Sequence, residues 1–278
     1  MKARVQTIQF TLIRHGESTS NVGSVVGGNT APLTDEGRRQ ATLLGEYLTR
    51  IDGAFDAAWY STLPRAVQTF EEIMAVLPKD RIPEKRIFAD ERIIERQHGM
   101  WEGRPIKETW TPEEIARINQ LGADYSTPGG ESFRLVERRM NLWLDDAMKI
   151  ARLSKLDLVH FLVVCHGHAM RCLIGSQLQI SSHVYWRMTL DNTSITRLRW
   201  TDDKGWFLDC MNSRPHLDLL ARYPTSAWWV FCWFWASSCQ NLRFLIAFSC
   251  SILIYYVGLA SARQDAYPGS IAQKDIWL

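Results

Sequence analysis

Two short apolar runs in this chain end on a histidine–glycine pair. Residues 5–13 lead into Arg14-His15-Gly16-Glu17, and residues 158–165 lead into His166-Gly167. Such β-branched runs, bounded by polar turns, read as buried strands. In α/β proteins the binding crevice opens at the carboxyl ends of the strands. The chain must therefore fold so that two strands far apart in sequence deliver imidazoles to one edge of a sheet. Two imidazoles and an arginine at such an edge suit a doubly charged anion, with phosphate the first candidate.

Around these runs, strand and helix patterns alternate. Residues 18–32 form a loop rich in Gly, Ser and Asn. Thr34 then caps a helix with Asp35 and Glu36 in its first turn and Leu43, Leu44, Tyr47, Leu48 and Ile51 on one face. Residues 57–60 read as a strand, and Pro64 opens a helix expected to run through 76. Residues 86–89 are a further short strand, and Thr111-Pro112-Glu113-Glu114 is a helix start. Helices are expected over 131–153 and 169–178. A closing hairpin pairs 194–200 with 206–210 about Asp202-Asp203-Lys204-Gly205. This alternation predicts an α/β three-layer sandwich, a mostly parallel central sheet flanked by helices.

Composition narrows the class. With 46% hydrophobic and 22% charged residues and a net charge of +2, the chain is of globular type and carries no global reason to bind nucleic acid. The cysteines, Cys165, Cys172, Cys210, Cys232, Cys239 and Cys250, form no CxxC pair and have no metal-ligand spacing. They read as small buried apolar residues in a reducing compartment. The first residues lack the apolar stretch of a secretory signal, so a cytoplasmic domain is expected over 1–218.

From 219 to 278 the texture changes. Residues 244–262 hold no charge between Arg243 and Arg263, and Trp228, Trp229, Trp233 and Trp235 precede them. As a helix that segment would be about 28 Å long, close to a bilayer core. The hydrophobic extension is thus a candidate tail anchor for a membrane. A packed or oligomerising appendage and a terminal extension without selected function stand beside that reading. Oligomeric state is not legible.

The motifs together resemble the histidine phosphatase superfamily, the phosphoglycerate mutase-like family. Arg14-His15-Gly16-Glu17-Ser18 with Asn21 is similar to its signature, and Pro32-Leu33-Thr34-Asp35-Glu36-Gly37 to its first helix start. Ser61-Thr62-Leu63-Pro64-Arg65-Ala66-Val67-Gln68-Thr69 and the stretch from Glu95 to Trp101-Glu102-Gly103 resemble two further blocks. Gly129-Gly130-Glu131-Ser132, Cys165-His166-Gly167-His168 and Asn192-Thr193-Ser194-Ile195-Thr196 follow in family order. The likeness spans about residues 5–216.

The resemblance implies phosphomonoester hydrolysis of small phosphorylated metabolites through a phosphohistidine, without metal or cofactor. It makes His15 the nucleophile, Glu95 the proton donor and His166 a stabiliser of the transferred phosphoryl group. Arg14, Asn21 and Arg65 would bind phosphate. These roles agree with the chemistry, because a phosphoryl group must be neutralised and held in line with its attacker. A mildly acidic optimum follows unless the pocket raises the Glu95 pKa. Two carboxylates compete with Glu95: Glu91, read as an ion-pair partner of Arg92, and Glu102, read as structural in the Trp-Glu-Gly turn. An HxH metal reading of His166 and His168 lacks a third ligand, and His168 stays outside the site. Arg92, Arg96, Arg104 and Lys107 form either a solvated face or a grip for a second anion.

Two further readings of the same residues stand beside hydrolysis. One is mutase-type phosphoryl transfer, against which the Trp-Glu-Gly form argues. The other is a phospho-ligand-binding protein without catalysis, against which the intact set of His15, Arg14, Arg65, Glu95 and His166 argues.

Overall fold

A computed structural model describes residues 5–222 of the chain, of which those up to Leu217 belong to one compact unit. Strand β1, Thr7–Arg14, is followed by a single helical turn, α1, Thr19–Val22. Helix α2, Asp35–Ile51, begins where expected, with the Thr34 hydroxyl accepting the Gly37 N–H at 3.0 Å. Strand β2, Ala57–Ser61, leads into α3, Pro64–Val76, which has proline at its first position. After β3, Ile87–Asp90, come the short α4, Ile106–Thr109, and α5, Pro112–Leu121, capped by Thr111. The long α6, Phe133–Ser154, precedes β4, Leu158–Cys165, and α7, Gly167–Gln177. Strands β5, Ile195–Thr201, and β6, Gly205–Ser213, close the sheet, and α8, Pro215–Arg222, follows.

The six strands form one sheet in the order β3-β2-β4-β1-β5-β6. The first four are mutually parallel, and β5 and β6 run antiparallel at one edge. Both faces of the sheet are covered, as a parallel sheet requires. Ile8, Phe10 and Leu12 of β1 and Val159, Phe161 and Val163 of β4 pack with Val136, Met140 and Trp143 of α6 and with α7. The alternate residues Ile13, Leu162 and Val164 pack with Leu44 and Leu48 of α2 and Ala66, Phe70 and Ile73 of α3. The predicted sandwich is therefore present, and burial at roughly 1.5–3 kcal/mol per large apolar side chain holds it together.

The register positions the site. Arg14 pairs with Cys165 across β1 and β4, so both histidine–glycine pairs leave the sheet side by side. The His15 N–H continues the ladder onto the Cys165 carbonyl at 3.0 Å. Beneath the first of these turns two glycines touch: a Cβ on Gly16 would sit 2.5 Å from the Gly37 carbonyl oxygen, and one on Gly37 only 2.0 Å from that of Glu17. Cys165 and Cys172 are buried free thiols. Among the described residues no helix is long and apolar enough to cross a membrane. The candidate anchor 244–262 lies outside them.

Candidate active site

The six residues expected in the site come from five segments. Arg14 and His15 end β1, Asn21 lies in α1, Arg65 is the second residue of α3, Glu95 stands in the loop after β3, and His166 is the N-cap of α7. All but Glu95 and Asn21 are almost wholly buried.

His15 is held in one tautomer by two independent contacts. Its Nδ1 lies 2.7 Å from the Gly16 carbonyl oxygen, which can only accept, so the proton sits on Nδ1. Its Nε2 in turn accepts Arg65 Nε–H at 3.2 Å. Burial, followed by the charges of Arg65, His166 and Arg14, holds the imidazole well below its ordinary pKa. A neutral ring with a directed Nε2 lone pair results.

Arg65 also donates from Nη1 to the Gly28 carbonyl at 2.8 Å, and Arg14 donates from Nη1 to the Leu190 carbonyl at 2.5 Å. Burial and the neighbouring Arg171 lower Arg14 to about 10, and it remains a cation at neutral pH. The His166 ring stands 5.1 Å from the His15 ring, centroid to centroid. Its Nε2 lies 2.7 Å from Ser61 Oγ, while its Nδ1 is buried without a hydrogen-bond partner among the described residues. Ser61 Oγ accepts the Leu63 N–H at 3.3 Å. The Ser61 hydroxyl thus holds the His166 ring at Nε2 and leaves Nδ1 for another partner.

Asn21 uses its carbonyl oxygen on Ser18 N (3.0 Å), Ser18 Oγ (2.9 Å) and Asn192 Nδ2 (3.2 Å). Its amide hydrogens meet no acceptor among the described residues. Asn192 also donates to the His15 carbonyl at 3.0 Å, and Thr193 N–H to the Arg14 and His15 carbonyls. These contacts fix the backbone of the turn.

Glu95 sits on the N-terminus of α7. Its Oε1 accepts the N–H groups of Arg96 (2.8 Å), His168 (3.1 Å) and Ala169 (3.3 Å). Arg139 of α6 staples the loop that carries it, donating to the carbonyls of Arg92, Ile94 and Glu95 at 2.7–3.0 Å. Burial pushes the Glu95 pKa up, but hydrogen bonds and charge from His168, then His166 and Arg65, outweigh it and hold the carboxyl well below the usual range. The pocket thus lowers this pKa, and the unliganded protein holds a carboxylate there.

Other expectations need correction. Arg92 does not pair with Glu91. It bonds Asp90 and Asp146, both at 2.7 Å, and Glu91 is exposed. Arg96 belongs to no solvated face: it is 1% exposed, its guanidinium 4.4 Å from the Phe133 ring centroid and 5.2 Å from that of Tyr125, and its Nε donates to the Glu131 carbonyl. Arg104 and Lys107 are exposed, so the four cations share no common face. Glu102 accepts the His98 N–H at 3.2 Å and Trp101 packs edge-on against Trp110, both structural contacts. Sequence reasoning passed over Ser61, although it heads a quoted motif, and over Arg171, whose guanidinium bonds the Met188 carbonyl. No cluster of three or more metal-type ligands occurs among the described residues.

The sequence profile described as histidine phosphatase superfamily (branch 1) matches residues 10–214. The chain is 32% identical over 222 residues to a probable phosphoglycerate mutase GpmB of Yersinia enterocolitica, covering 77% of this chain and 97% of that one. Among solved structures it is similar to Bacillus stearothermophilus YhfR, with a TM-score of 0.61, 27% identity, and coverage of 75% and 98% of the two chains. It is also similar in fold to a phosphoserine phosphatase of Entamoeba histolytica, TM-score 0.62 at 24% identity, covering 76% and 99%.

Proposed function

Because the chain belongs to the histidine phosphatase superfamily, branch 1, we propose that it hydrolyses small phosphomonoesters through a phosphohistidine on His15. The observation that carries this reading is the fixed tautomer of His15. Nδ1–H is spent on Gly16, and the Nε2 lone pair is aimed at Arg65, where a bound phosphate would sit.

Arg14, Arg65 and the amide hydrogens of Asn21 neutralise and orient the dianion, and His166 Nδ1–H meets an equatorial oxygen. Nε2 attacks phosphorus in line, and the P–O bond breaks with its electron pair on the leaving oxygen. That oxygen needs a proton, which Glu95 supplies. Glu95 then takes one from the water that attacks the phosphohistidine. Its pKa is low in the unliganded protein, and the arriving dianion draws a proton to it by placing two negative charges beside it. Neither a metal nor a cofactor takes part, and activity is expected to persist in EDTA. We propose that the reaction takes place in the cytoplasm, as expected for a chain whose first residues lack the apolar stretch of a secretory signal.

Mutase-type transfer is the second reading, favoured by the 31–32% identical Yersinia relatives, which are named probable phosphoglycerate mutases. It requires a site that keeps water from the phosphohistidine. The protein given 3-phosphoglycerate with a trace of 2,3-bisphosphoglycerate is expected to release phosphate; 2-phosphoglycerate instead would establish the mutase. The test of the main reading is turnover of para-nitrophenyl phosphate with radiolabel trapped on His15. No turnover, or turnover unchanged in His15→Ala, sinks it.

A further inference from the structure

The two oxygens of Glu95 are treated differently. Oε1 is taken up by three backbone N–H groups, whereas Oε2 is left with the long bond from His168 N at 3.3 Å. The side-chain nitrogen facing Oε2 is His168 Nδ1, at 3.7 Å. Both side chains keep 15% of their surface accessible. The His168 ring is fixed on its other sides by Phe133, centroids 6.1 Å apart and nearly parallel, and by His98 at 5.5 Å, edge-on. A ring so clamped offers its nitrogen to one carboxylate oxygen.

We propose that His168 is a positioning residue for the proposed reaction, sharing with Glu95 Oε2 the proton that the leaving group receives. The inference rests on the hydrolytic reading above. With substrate bound, one proton occupies the pair, on His168 Nδ1 or on Oε2. As the ester P–O bond breaks, Oε2–H passes its proton to the leaving oxygen and the His15 Nε2–P bond forms. In the second half, water attacks phosphorus, the N–P bond breaks with its electrons returning to Nε2, and the water proton goes to Oε2. The pair is thus recharged within each turnover, and ester plus water becomes alcohol plus phosphate. Proton exchange with bulk solvent is not needed between the two steps.

The charges around the pair explain why it holds its proton only when the dianion is present. Arg96 and His98 face it from the loop after β3, Arg171 from α7, Arg139 from α6 through the Glu95 carbonyl, and Arg65 and Arg14 from α3 and β1. In the unliganded protein burial, joined by this cationic surround, keeps His168 below its ordinary pKa, although Glu95 pulls the other way. Two negative charges from the phosphate reverse the balance.

The experiment compares wild type, His168→Gln and His168→Asn on para-nitrophenyl phosphate, whose leaving group needs little help, and on glycerol 3-phosphate, whose alkoxide must be protonated. Both variants should lose about 10- to 100-fold in kcat/KM on the alkyl ester and less than threefold on the aryl ester. The basic limb of their pH profiles should also move to lower pH. Equal loss on both esters with an unmoved pH profile, or no loss on either, overturns the proposal. Because the variants could fold poorly, the imidazole 15N shifts of His168 are followed in the wild-type full chain as orthovanadate is added. Protonation near neutral pH on binding supports the shared proton, and an unchanged ring refutes it. Glu95→Gln separates the two levels: full alkyl-ester turnover in that variant defeats the hydrolytic assignment of Glu95 itself.

Discussion

Arg65→Gln separates stability from catalysis. Arg65 is 3% exposed, its hydrogen bonds go to an imidazole and a carbonyl, and among the described residues no carboxylate is in ion-pair contact with it. Burial lowers its pKa, with Glu95 and Glu102 opposing from farther off. In the folded protein the substitution therefore removes a poorly compensated buried cation while losing one carbonyl bond worth about 1 kcal/mol. These nearly cancel, so the melting temperature should stay within about 4 °C of wild type or rise. Toward the transition state the balance is one-sided. Charge-assisted bonds to phosphoryl oxygens are worth roughly 1.5–3 kcal/mol each, and losing a fork of two predicts a fall in kcat/KM of about 10²–10⁴. Removing the Arg65 charge also makes His15 easier to protonate, so the acid limb of the pH profile should move upward. The assay is kcat/KM for para-nitrophenyl phosphate from pH 5 to 8, with thermal unfolding on the same preparation. A loss under tenfold in a normally folded variant would refute the assignment of Arg65 as a phosphate clamp. A collapse of the melting temperature would refute the electrostatic bookkeeping.

Two further outcomes follow from the geometry. Ser61→Ala removes the hydroxyl that holds the His166 ring at 2.7 Å, and kcat should fall about tenfold with an unchanged circular-dichroism spectrum; wild-type kcat would count against it. His15, His98, His160, His166 and His168 all have lowered pKa values, chiefly through burial, so below about pH 6.5 the unfolded chain binds protons that the native state refuses. Stability is then complete above that pH and declines as pH falls. His160 alone, lowered from 6.5 to about 4, contributes up to about 3 kcal/mol that is lost toward pH 4. A melting temperature that holds constant from pH 7 to pH 4.5 would contradict this.

Much of this arrangement was legible because local signals and tertiary demands agree. Pro64 opens α3 and Thr34 caps α2 where propensity places them, and the apolar run before His166 is strand throughout. The position of Glu95, by contrast, came from resemblance; nothing in its local sequence marks it above Glu91. Arg96 was misread because a charged residue among charged residues resembles a surface, while the rings that cage it come from Tyr125 and Phe133, remote in sequence. The partner of Arg92 is equally remote, on α6 at Asp146. Ser61 carries no periodicity signal at the end of a short buried strand, and its role exists only because β2 pairs with β4. His168 was left outside the site, yet the backbone of the first turn of α7 turns it toward Glu95.

Strand β4 lies between β1 and β2, although it is the last of the parallel strands to be synthesised. A ribosome that has released only the first half of the domain therefore holds two strands with an empty slot between them and no place for the second imidazole. Insertion of that central strand joins sheet completion to assembly of the phosphate cradle in one event. Return of turnover after dilution from denaturant should accordingly track the slowest, topologically longest closure.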